Sequence, residues 1–233
     1  MKRYYPFLIA LVILIIDQGS KLWVKLNMTF NDHYNVFGEW FKIVFIENEG
    51  MAFGIQLWGG DFGKLFLSLF RIVAVVLMII ALNRLIKRKA ETLVLVFFGF
   101  LLAGTLGNVL DSVFYGALFS STSFFQKAVF MPEAPLQAYS TWLYGNVVDM
   151  LYFPLAEGHF PDWLPERPES KPVWCPQILF QLFPWANEHW LFFRPVFNIA
   201  DAAISTFMIA FIVFYKRMSF AWELLFPNKK SAN

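Results

Sequence analysis

Four long apolar runs dominate this sequence, at residues 5–23, 66–85, 92–110 and 197–215. Each run approaches the roughly 20 residues that an α-helix needs to cross a hydrocarbon core about 30 Å thick. Such spans must be helical, because a lone strand would leave its backbone hydrogen-bonding groups unsatisfied in lipid. We therefore predict an all-α membrane protein in which four transmembrane helices form one integral membrane domain, residues 1–233.

The composition agrees with a membrane protein and excludes several other classes. Hydrophobic residues make up 58% of the chain and charged residues 15%, whereas soluble domains have about 45–50% and about 25%. A net charge of +2 without a basic stripe argues against nucleic acid binding. The single cysteine, Cys175, cannot form an intrachain disulfide, and the three histidines are too scattered to suggest a zinc site.

Basic residues set the predicted orientation. Lys2 and Arg3 precede the first run, four basic residues fill the short link at 84–89, and four more follow the last run. Because cytoplasmic loops are enriched in Lys and Arg, both termini and this link are predicted to be cytoplasmic. Residues 27–64 and 113–196 are then extracytoplasmic, and the second segment is a long outer loop rich in Phe, Trp and Pro.

The outer segments carry two further local patterns. Residues 39–46 are aromatic and β-branched, and Asn48-Glu49-Gly50 follows them, which predicts a strand in a small sheet on the membrane surface. The aromatic side chains of the outer loop suit the headgroup level of a bilayer. We expect Asp149 to lie within this loop.

Costly polar side chains gather at one depth of the predicted bundle. An ionised side chain at the centre of a bilayer costs roughly 2.5–3.5 kcal/mol on insertion scales, so it is seldom present without a partner or a task. With the predicted topology, the charged residues fall near the outer ends of their helices, and the inner halves carry no charge. Transporters more often place polar groups near the midplane, so the pattern indicates a site at the membrane–water boundary. The polar group comprises Asp17, Lys21, Arg71, Asn108, Asp111, Asn198 and Asp201.

Each of these residues also has a purely structural interpretation. Asp17 and Lys21 stand at i, i+4 with the acid first, which favours an ion pair along one helix. Arg71 can extend its guanidinium to the headgroups, and Asp201 suits the N-terminus of a helix. Two other classes therefore fit part of the pattern: a small membrane transporter and a non-catalytic membrane scaffold.

Five motifs occur in order along the chain. They are Asp17-Gln18-Gly19-Ser20-Lys21, Asn48-Glu49-Gly50-Met51-Ala52-Phe53-Gly54, Gly107-Asn108-Val109-Leu110-Asp111, Val147-Val148-Asp149-Met150 and Phe197-Asn198-Ile199-Ala200-Asp201. Together they resemble the bacterial lipoprotein signal peptidase family (signal peptidase II) over nearly the whole chain. The resemblance implies a membrane aspartyl endopeptidase in which Asp149 and Asp201 are the catalytic pair, with no metal and no other cofactor.

The resemblance also implies a substrate, an architecture and a location. The family removes the signal peptide of prolipoproteins just before a cysteine that already carries diacylglycerol, and the cyclic peptide globomycin inhibits it. The implied structure is a four-helix bundle with a small extracytoplasmic β-cradle. It lies in the bacterial inner membrane with the active site on the extracytoplasmic side. Prolipoproteins and membrane lipids are the expected partners, and the expected assembly is a monomer.

Several residues are expected to bind substrate or to support the catalytic pair. The amides of Asn48 and Asn198 suit either contact with the substrate backbone or satisfaction of nearby backbone groups. Gly50 and Gly54 permit a close approach of the peptide. The remaining members of the expected set are Asp17, Lys21, Arg71, Asn108 and Asp111.

Two features depart from the family pattern. The pattern has an arginine directly after the Gly-Asn-x-x-Asp motif, where this chain has Ser112. The connections from Asp111 to Asp149 and from Asp149 to Asp201 are also longer than the resemblance leads us to expect. We therefore expect a cation to be missing beside the site unless Arg71 supplies it from the second helix.

Overall fold

Three long helices form the membrane part of the fold. The computed structural model describes residues 4–49, 60–133, 137–170, 172, 185–192 and 195–226. The helices are α1 (Tyr5–Asn27), α2 (Gly60–Lys87) and α3 (Thr92–Leu110). Within the described part of the chain, these three are long and apolar enough to cross a bilayer, as the first three apolar runs predict. α3 continues through a π-helical turn, Asp111–Tyr115, and a last α turn, Gly116–Leu118.

The fourth apolar run does not form one straight helix. It contains α4 (Ile199–Val213), and α5 (Tyr215–Leu225) follows it at an angle of 100° across Phe214, so a fourth span exists only if the two are taken together. The predicted helix over residues 197–215 therefore begins later and ends earlier than expected. It cannot begin earlier, because Phe197 lies in a strand and Asn198 is extended and caps α4 with its side chain.

Among the residues that the structure describes, six strands make two small antiparallel sheets. In chain order they are β1 (His33–Phe37), β2 (Phe41–Asn48), β3 (Val147–Tyr152), β4 (Ala156–His159), β5 (His189–Phe192) and β6 (Val196–Phe197). The larger sheet has the order β1-β2-β3-β6, and β4 pairs with β5. The strand predicted at residues 39–46 corresponds to β2, which pairs with β1 across a turn where Gly38 has a positive φ of 51°.

Asp149 lies in β3, which corrects the expectation that it lies in a loop. Its register partner on β2 is Ile46, and Asn48 lies opposite Val147. The strand carries β-branched and large apolar side chains, and its first four residues are buried. A strand this short depends on its neighbouring strands for stability. Its neighbour β2 lies about 100 residues earlier in the chain, so the local sequence around Asp149 does not by itself predict a strand.

The described buried residues form two separate apolar cores, which contact α1 on either side of Asp17 and Lys21. One fills the helix bundle. The other joins Val24 and Met28 of α1 to Phe45, Val148 and Met150 of the sheet. Because full burial of one large apolar side chain stabilises a fold by roughly 1.5–3 kcal/mol, this second core holds the sheet firmly against the bundle. The strands that carry Asn48 and Asp149 are thereby fixed relative to the helices.

Small residues let α3 approach α1 and α4 closely. A β-carbon added at Gly104 would overlap the carbonyl oxygen of Ala200, and one added at Gly107 would meet Ala200 and the carboxylate of Asp17. Close backbone contact of this kind is typical of helix pairs in membranes. It brings the polar residues of α1, α3 and α4 within hydrogen-bonding distance of one another.

We predict that Gly104→Ala destabilises the protein by about 1–3 kcal/mol, because the added methyl group forces α3 and α4 apart. The measurement is the thermal unfolding midpoint in detergent. Gly19→Ala is the matched control, since it also lies in a helix and its added β-carbon meets no atom within 4 Å. The control should be neutral or stabilising by up to about 1 kcal/mol. Equal midpoints for the two variants would contradict the close packing of α3 on α4.

Candidate active site

A buried lysine, paired with two carboxylates, lies beneath the predicted catalytic acids and connects the helices that carry the site. The Lys21 ammonium lies 2.9 Å from Asp17 Oδ2 and 2.8 Å from Asp111 Oδ2, and all three side chains are fully buried. The same nitrogen donates to Asn108 Oδ1 at 3.0 Å. Buried charges are tolerated only when they are paired and hydrogen-bonded, and breaking such a group costs roughly 3–5 kcal/mol. The group therefore fixes α1 against α3.

The same group also binds the start of α4. Asp17 Oδ1 accepts the backbone N–H of Ala200 at 2.8 Å, in the first turn of that helix. Gln18 reinforces the junction, because its amide donates to Asp111 Oδ1 at 2.9 Å and to the carbonyl oxygen of Gly107 at 3.2 Å. Three helices are thus joined at one level by side chains of α1.

Asn198 connects the helices to the sheet. It forms a capping box with Asp201: its Oδ1 accepts the Asp201 N–H at 2.8 Å, and Asp201 Oδ2 accepts the Asn198 N–H at 3.3 Å. Its side-chain amide donates to Asp149 Oδ1 at 2.7 Å. One residue therefore binds a carboxylate on α4 and a carboxylate on β3, which brings the two predicted catalytic acids together.

Two further asparagines complete the surroundings of the acids. Asn48 on β2 donates to Asp149 Oδ2 at 3.1 Å. Asn108 on α3 donates to Asp201 Oδ1 at 2.8 Å. Each carboxylate thus accepts hydrogen bonds on both of its oxygens, so its orientation is fixed by neutral donors.

The environment of Asp149 favours its protonated form. The side chain is only 3% exposed. Burial, together with the nearby charge of Asp201, raises the pKa of Asp149 to about 7. The hydrogen bonds from Asn48 and Asn198 act in the opposite direction, because they stabilise the ionised carboxylate. Near neutral pH, Asp149 is therefore divided between its acid and its carboxylate forms, as acid–base catalysis requires.

The sequence comparisons identify the family of this chain. The family described as Signal peptidase (SPase) II matches residues 9–217. The chain belongs to this family. A lipoprotein signal peptidase of Porphyromonas gingivalis is 42% identical over 224 residues, which cover 96% of this chain and 86% of the relative. One from Amoebophilus asiaticus is 35% identical over 222 residues, which cover 94% of this chain and 80% of the relative.

A solved structure shares the fold of this chain. A solved bacterial membrane enzyme, determined by the in meso method, aligns with a TM-score of 0.51 and 20% sequence identity. The alignment covers 90% of this chain and 91% of that chain. At this identity the likeness concerns the fold alone. Members of the signal peptidase II family are peptidases, so this chain is a hydrolase.

The serine that departs from the signal peptidase II pattern contacts an arginine from another helix. Arg71 of α2 donates from Nη1 to Ser112 Oγ at 2.7 Å, and Ser112 Oγ donates to the Asn108 carbonyl oxygen at 2.9 Å. The positive charge of Arg71 interacts with the carboxylates of Asp201, Asp111 and Asp149. A guanidinium therefore lies beside the site although Asp111 is followed directly by a serine and not by an arginine.

Not every predicted residue of this signal peptidase II chain can be placed. Gly50 and Gly54 lie outside the described residues, so the expected close approach of the peptide at these glycines stays a prediction. Among the residues that the structure describes, no group of three or more His, Cys, Asp or Glu side chains is arranged to hold a metal ion. The other predicted site residues all belong to the hydrogen-bonded and charged network described above.

Sequence reasoning missed a second ion pair that supports the site. The Lys25 ammonium lies 2.5 Å from Glu47 Oε1, and Lys25 is fully buried. Glu47 Oε2 accepts the side-chain amide of Asn146 at 3.1 Å. Glu47 directly precedes Asn48 in β2, and Asn146 directly precedes β3, which carries Asp149. The spacing of the two lysines points to such a pair. Lys25 follows Lys21 by four residues on one helix face, where two like charges repel each other, so an acidic partner from another element would stabilise Lys25.

Proposed function

We propose that this protein is a membrane aspartyl endopeptidase that removes the signal peptide from diacylglyceryl-modified prolipoproteins, cutting before the lipidated cysteine. The family, and the name lipoprotein signal peptidase carried by its relatives, support this substrate class. The observation that carries the assignment of the catalytic pair is the convergence of Asp149 and Asp201 on Asn198, which donates to both carboxylates.

In the proposed reaction the two acids share one proton, because neighbouring carboxylates in a partly desolvated site do not readily both ionise. The ionised acid takes a proton from a water molecule, and the water oxygen attacks the scissile carbonyl carbon. The protonated acid donates a hydrogen bond to the carbonyl oxygen. The tetrahedral intermediate then collapses as the C–N bond breaks, and the leaving amine receives a proton from the pair, which returns to its starting charge. The pair titrates as a unit.

The surrounding residues are proposed to position this pair. Asn108 and Asn198 hold Asp201, and Asn48 and Asn198 hold Asp149, through the bonds described above. Asp17, Lys21 and Asp111 fix the helices that carry the amides of Asn108 and Asn198, whereas Asn48 projects from β2. Neutral donors suit this task, because a cation bound directly to both acids would lower both pKa values and remove the shared proton.

Arg71 is proposed to bind a carbonyl oxygen of the substrate backbone. Its guanidinium is oriented by Ser112 and lies near three carboxylates, whose negative charge it partly balances. A guanidinium presents five N–H donors in a rigid plane, so one group can bind both Ser112 and a peptide carbonyl. In this proposal it replaces the arginine that the family pattern has at the position of Ser112.

The protein is further proposed to act as one domain and as a monomer in the bacterial inner membrane, with both termini cytoplasmic and the site extracytoplasmic. The distribution of Lys and Arg supports this orientation. Apolar side chains such as Leu8, Leu11 and Ile15 are exposed along α1 and suit contact with lipid. The diacylglyceryl chains of the substrate stay in the bilayer, where each buried methylene contributes about 0.8 kcal/mol to anchoring. Globomycin-type cyclic peptides are proposed to occupy the same site.

We predict that Asp149→Asn and Asp201→Asn each lower cleavage of a diacylglyceryl-modified prolipoprotein by at least about a thousandfold, since either change removes an acid–base group. The measurement is a gel-shift assay with purified protein in detergent. Asp162→Asn, an exposed acid in the outer segment, is the matched control and should cleave like the wild type. Near-normal turnover by either pair variant would refute the assignment. Folded wild type that does not cleave but carries ions across proteoliposomes would favour a transporter.

The raised pKa of Asp149 predicts the alkaline limb of the pH profile. As the pH rises through about 7, the pair loses its shared proton, so kcat/KM should fall about tenfold per pH unit. Asn48→Leu removes a donor that stabilises the carboxylate, which raises the pKa and should move the limb to higher pH. Asn35→Leu, whose amide donates to the exposed Glu39, is the control. A limb that stays in place or moves to lower pH in Asn48→Leu would contradict the role of this amide.

We predict that Arg71→Gln lowers kcat/KM by about ten- to a hundredfold, the equivalent of the roughly 1.5–3 kcal/mol of a charge-assisted hydrogen bond. The effect should lie mainly in KM, because Arg71 is proposed to bind substrate. Arg84→Gln removes the same charge from the last turn of α2, away from Ser112, and should have little effect. The exchange Arg71→Ser with Ser112→Arg should restore part of the activity. No recovery in a folded double variant would show that the guanidinium must come from α2.

A further inference from the structure

Helix α5 crosses the end of the bundle opposite the candidate active site. It leaves α4 at an angle of 100°, while Asp201 lies in the first turn of α4 at the other end of that helix. If α4 runs along the bilayer normal, α5 therefore runs close to the plane of the far bilayer surface. A helix in that plane needs one face for the protein or lipid and another for water.

One face of α5 packs on the bundle. Met218, Ala221 and Leu225 recur at helical spacing and are buried. They belong to the same core as Leu82 and Leu85 of α2. This contact holds α5 against the bundle, and Tyr215, Trp222 and Phe226 remain exposed among the described residues.

A second stripe, next to the buried one, is aromatic and exposed. Tyr215, Trp222 and Phe226 lie at i, i+7 and i+11, and they are 61%, 64% and 56% exposed. The rings of Trp222 and Phe226 are 4.5 Å apart. Amphipathic aromatic rings concentrate at the boundary between headgroups and acyl chains, so this stripe fits the bilayer surface itself.

Basic side chains surround the same region. Lys216 and Arg217 begin α5, and Arg84 and residues 87–89 contribute four more at the turn between α2 and α3, against two acids, Glu91 and Glu223. Arg88 Nη1 donates to the Leu224 carbonyl oxygen at 2.6 Å, which places that turn beside the end of α5. The local excess of positive charge is complementary to anionic lipid.

A cavity lies where the two elements meet. It has a volume of about 330 Å³ and is lined by the start of α3 and by α5, including Glu91, Lys216, Arg217 and Phe220. Arg217 Nη1 is held at its rim by Glu91 Oε1 at 2.8 Å. The cavity thus offers cationic groups beside an apolar wall, which suits a phosphate joined to a glycerol backbone and acyl chains.

We propose that α5, together with the turn between α2 and α3, forms a binding site for the anionic phospholipids of the bilayer. The aromatic stripe lies at the level of the glycerol backbone, and Lys216 and Arg217 bind the phosphate groups. The ring of Tyr215 lies 6.1 Å from that of Phe211 on α4, and α4 exposes Ile212 and Val213 beside it. The stripe therefore adjoins an exposed apolar end of α4, and the proposed occupant is the membrane and not a soluble partner.

The site would set the depth of the catalytic pair, a consequence that rests on the proposed function. Asp201 precedes Phe214 by thirteen residues (214 − 201 = 13). At 1.5 Å per residue this is roughly 20 Å of helix, against a hydrocarbon thickness of about 30 Å. With α5 held at one surface, Asp201 lies about 10 Å below the other, so lipid binding at α5 determines where the scissile bond must be.

The test measures lipid selection directly. Purified protein is reconstituted in phosphatidylcholine bilayers with a trace of spin-labelled phosphatidylglycerol or spin-labelled phosphatidylcholine, and the motionally restricted fraction of each label is compared. The wild type should retain phosphatidylglycerol at least about threefold more than phosphatidylcholine. Lys87→Gln/Lys216→Gln/Arg217→Gln should lose this preference. Lys42→Gln/Lys127→Gln/Arg167→Gln removes three positive charges from the outer segments and should retain it.

A second readout separates this inference from the proposed function. In detergent, both triple variants should cleave like the wild type, whereas in bilayers with phosphatidylglycerol only the α5 variant should lose several-fold in rate. Absence of lipid preference in the wild type, or equal loss in both variants, would overturn the inference whether or not the protein cleaves prolipoproteins. A Trp222→Ser/Phe226→Ser variant that changes the oligomeric state, without changing lipid selection, would also overturn it, because a second copy would then cover the stripe.

Discussion

The ammonium of Lys21, buried between Asp17 and Asp111, is the interaction on which the rest of the structure depends. A buried ammonium without access to water needs carboxylate partners within hydrogen-bonding distance. Asp111 can reach Lys21 only in one relative position of α1 and α3, so this ion pair fixes how the two helices pack. The same lysine also holds the oxygen of Asn108, which leaves the amide of that residue directed at Asp201. The apolar core gives the bundle its stability, but this charged group gives it its register.

The sheet needs an equivalent constraint, because one of the two acids belongs to it. The ion pair between Lys25 and Glu47 provides this constraint. Lys25 lies one helical turn beyond Lys21 on α1, and Glu47 on β2 also accepts a hydrogen bond from Asn146. Asn198 then joins the helices and the sheet at the acids themselves. The site is therefore an interface between a membrane bundle and a surface sheet, and its geometry is only as rigid as the contacts that join the two.

Much of this arrangement is predictable from the sequence, and the exceptions share a cause. The apolar runs at 5–23, 66–85 and 92–110 fall within or coincide with helices. They are predictable because a bilayer-spanning helix needs about 20 consecutive apolar residues, which the sequence shows directly. The gathering of Asp17, Lys21, Asn108, Asp111, Asn198 and Asp201 follows from topology. The strand around Asp149, the contact of Arg71 with Ser112 and the partner of Lys25 all depend on neighbours distant in the chain, which a single sequence does not pair. The bend at Phe214 is not predictable from the sequence, because the apolar run continues through it and looks the same whether the helix is straight or bent.

The buried charges of α1 also constrain how the protein is made. Lys21 and Asp17 can pair with each other as soon as α1 has formed, but Asn108 lies 87 residues beyond Lys21. At a synthesis rate of roughly 5–20 residues per second, α1 must wait about 4–17 s in or near the insertion machinery before α3 arrives. During that time Asp17 and Lys21 act as each other's only counterions within the helix. Because Asp17 and Lys21 are spaced i, i+4, α1 can balance its own buried charges while it enters the membrane, before the residues of α3 have been made.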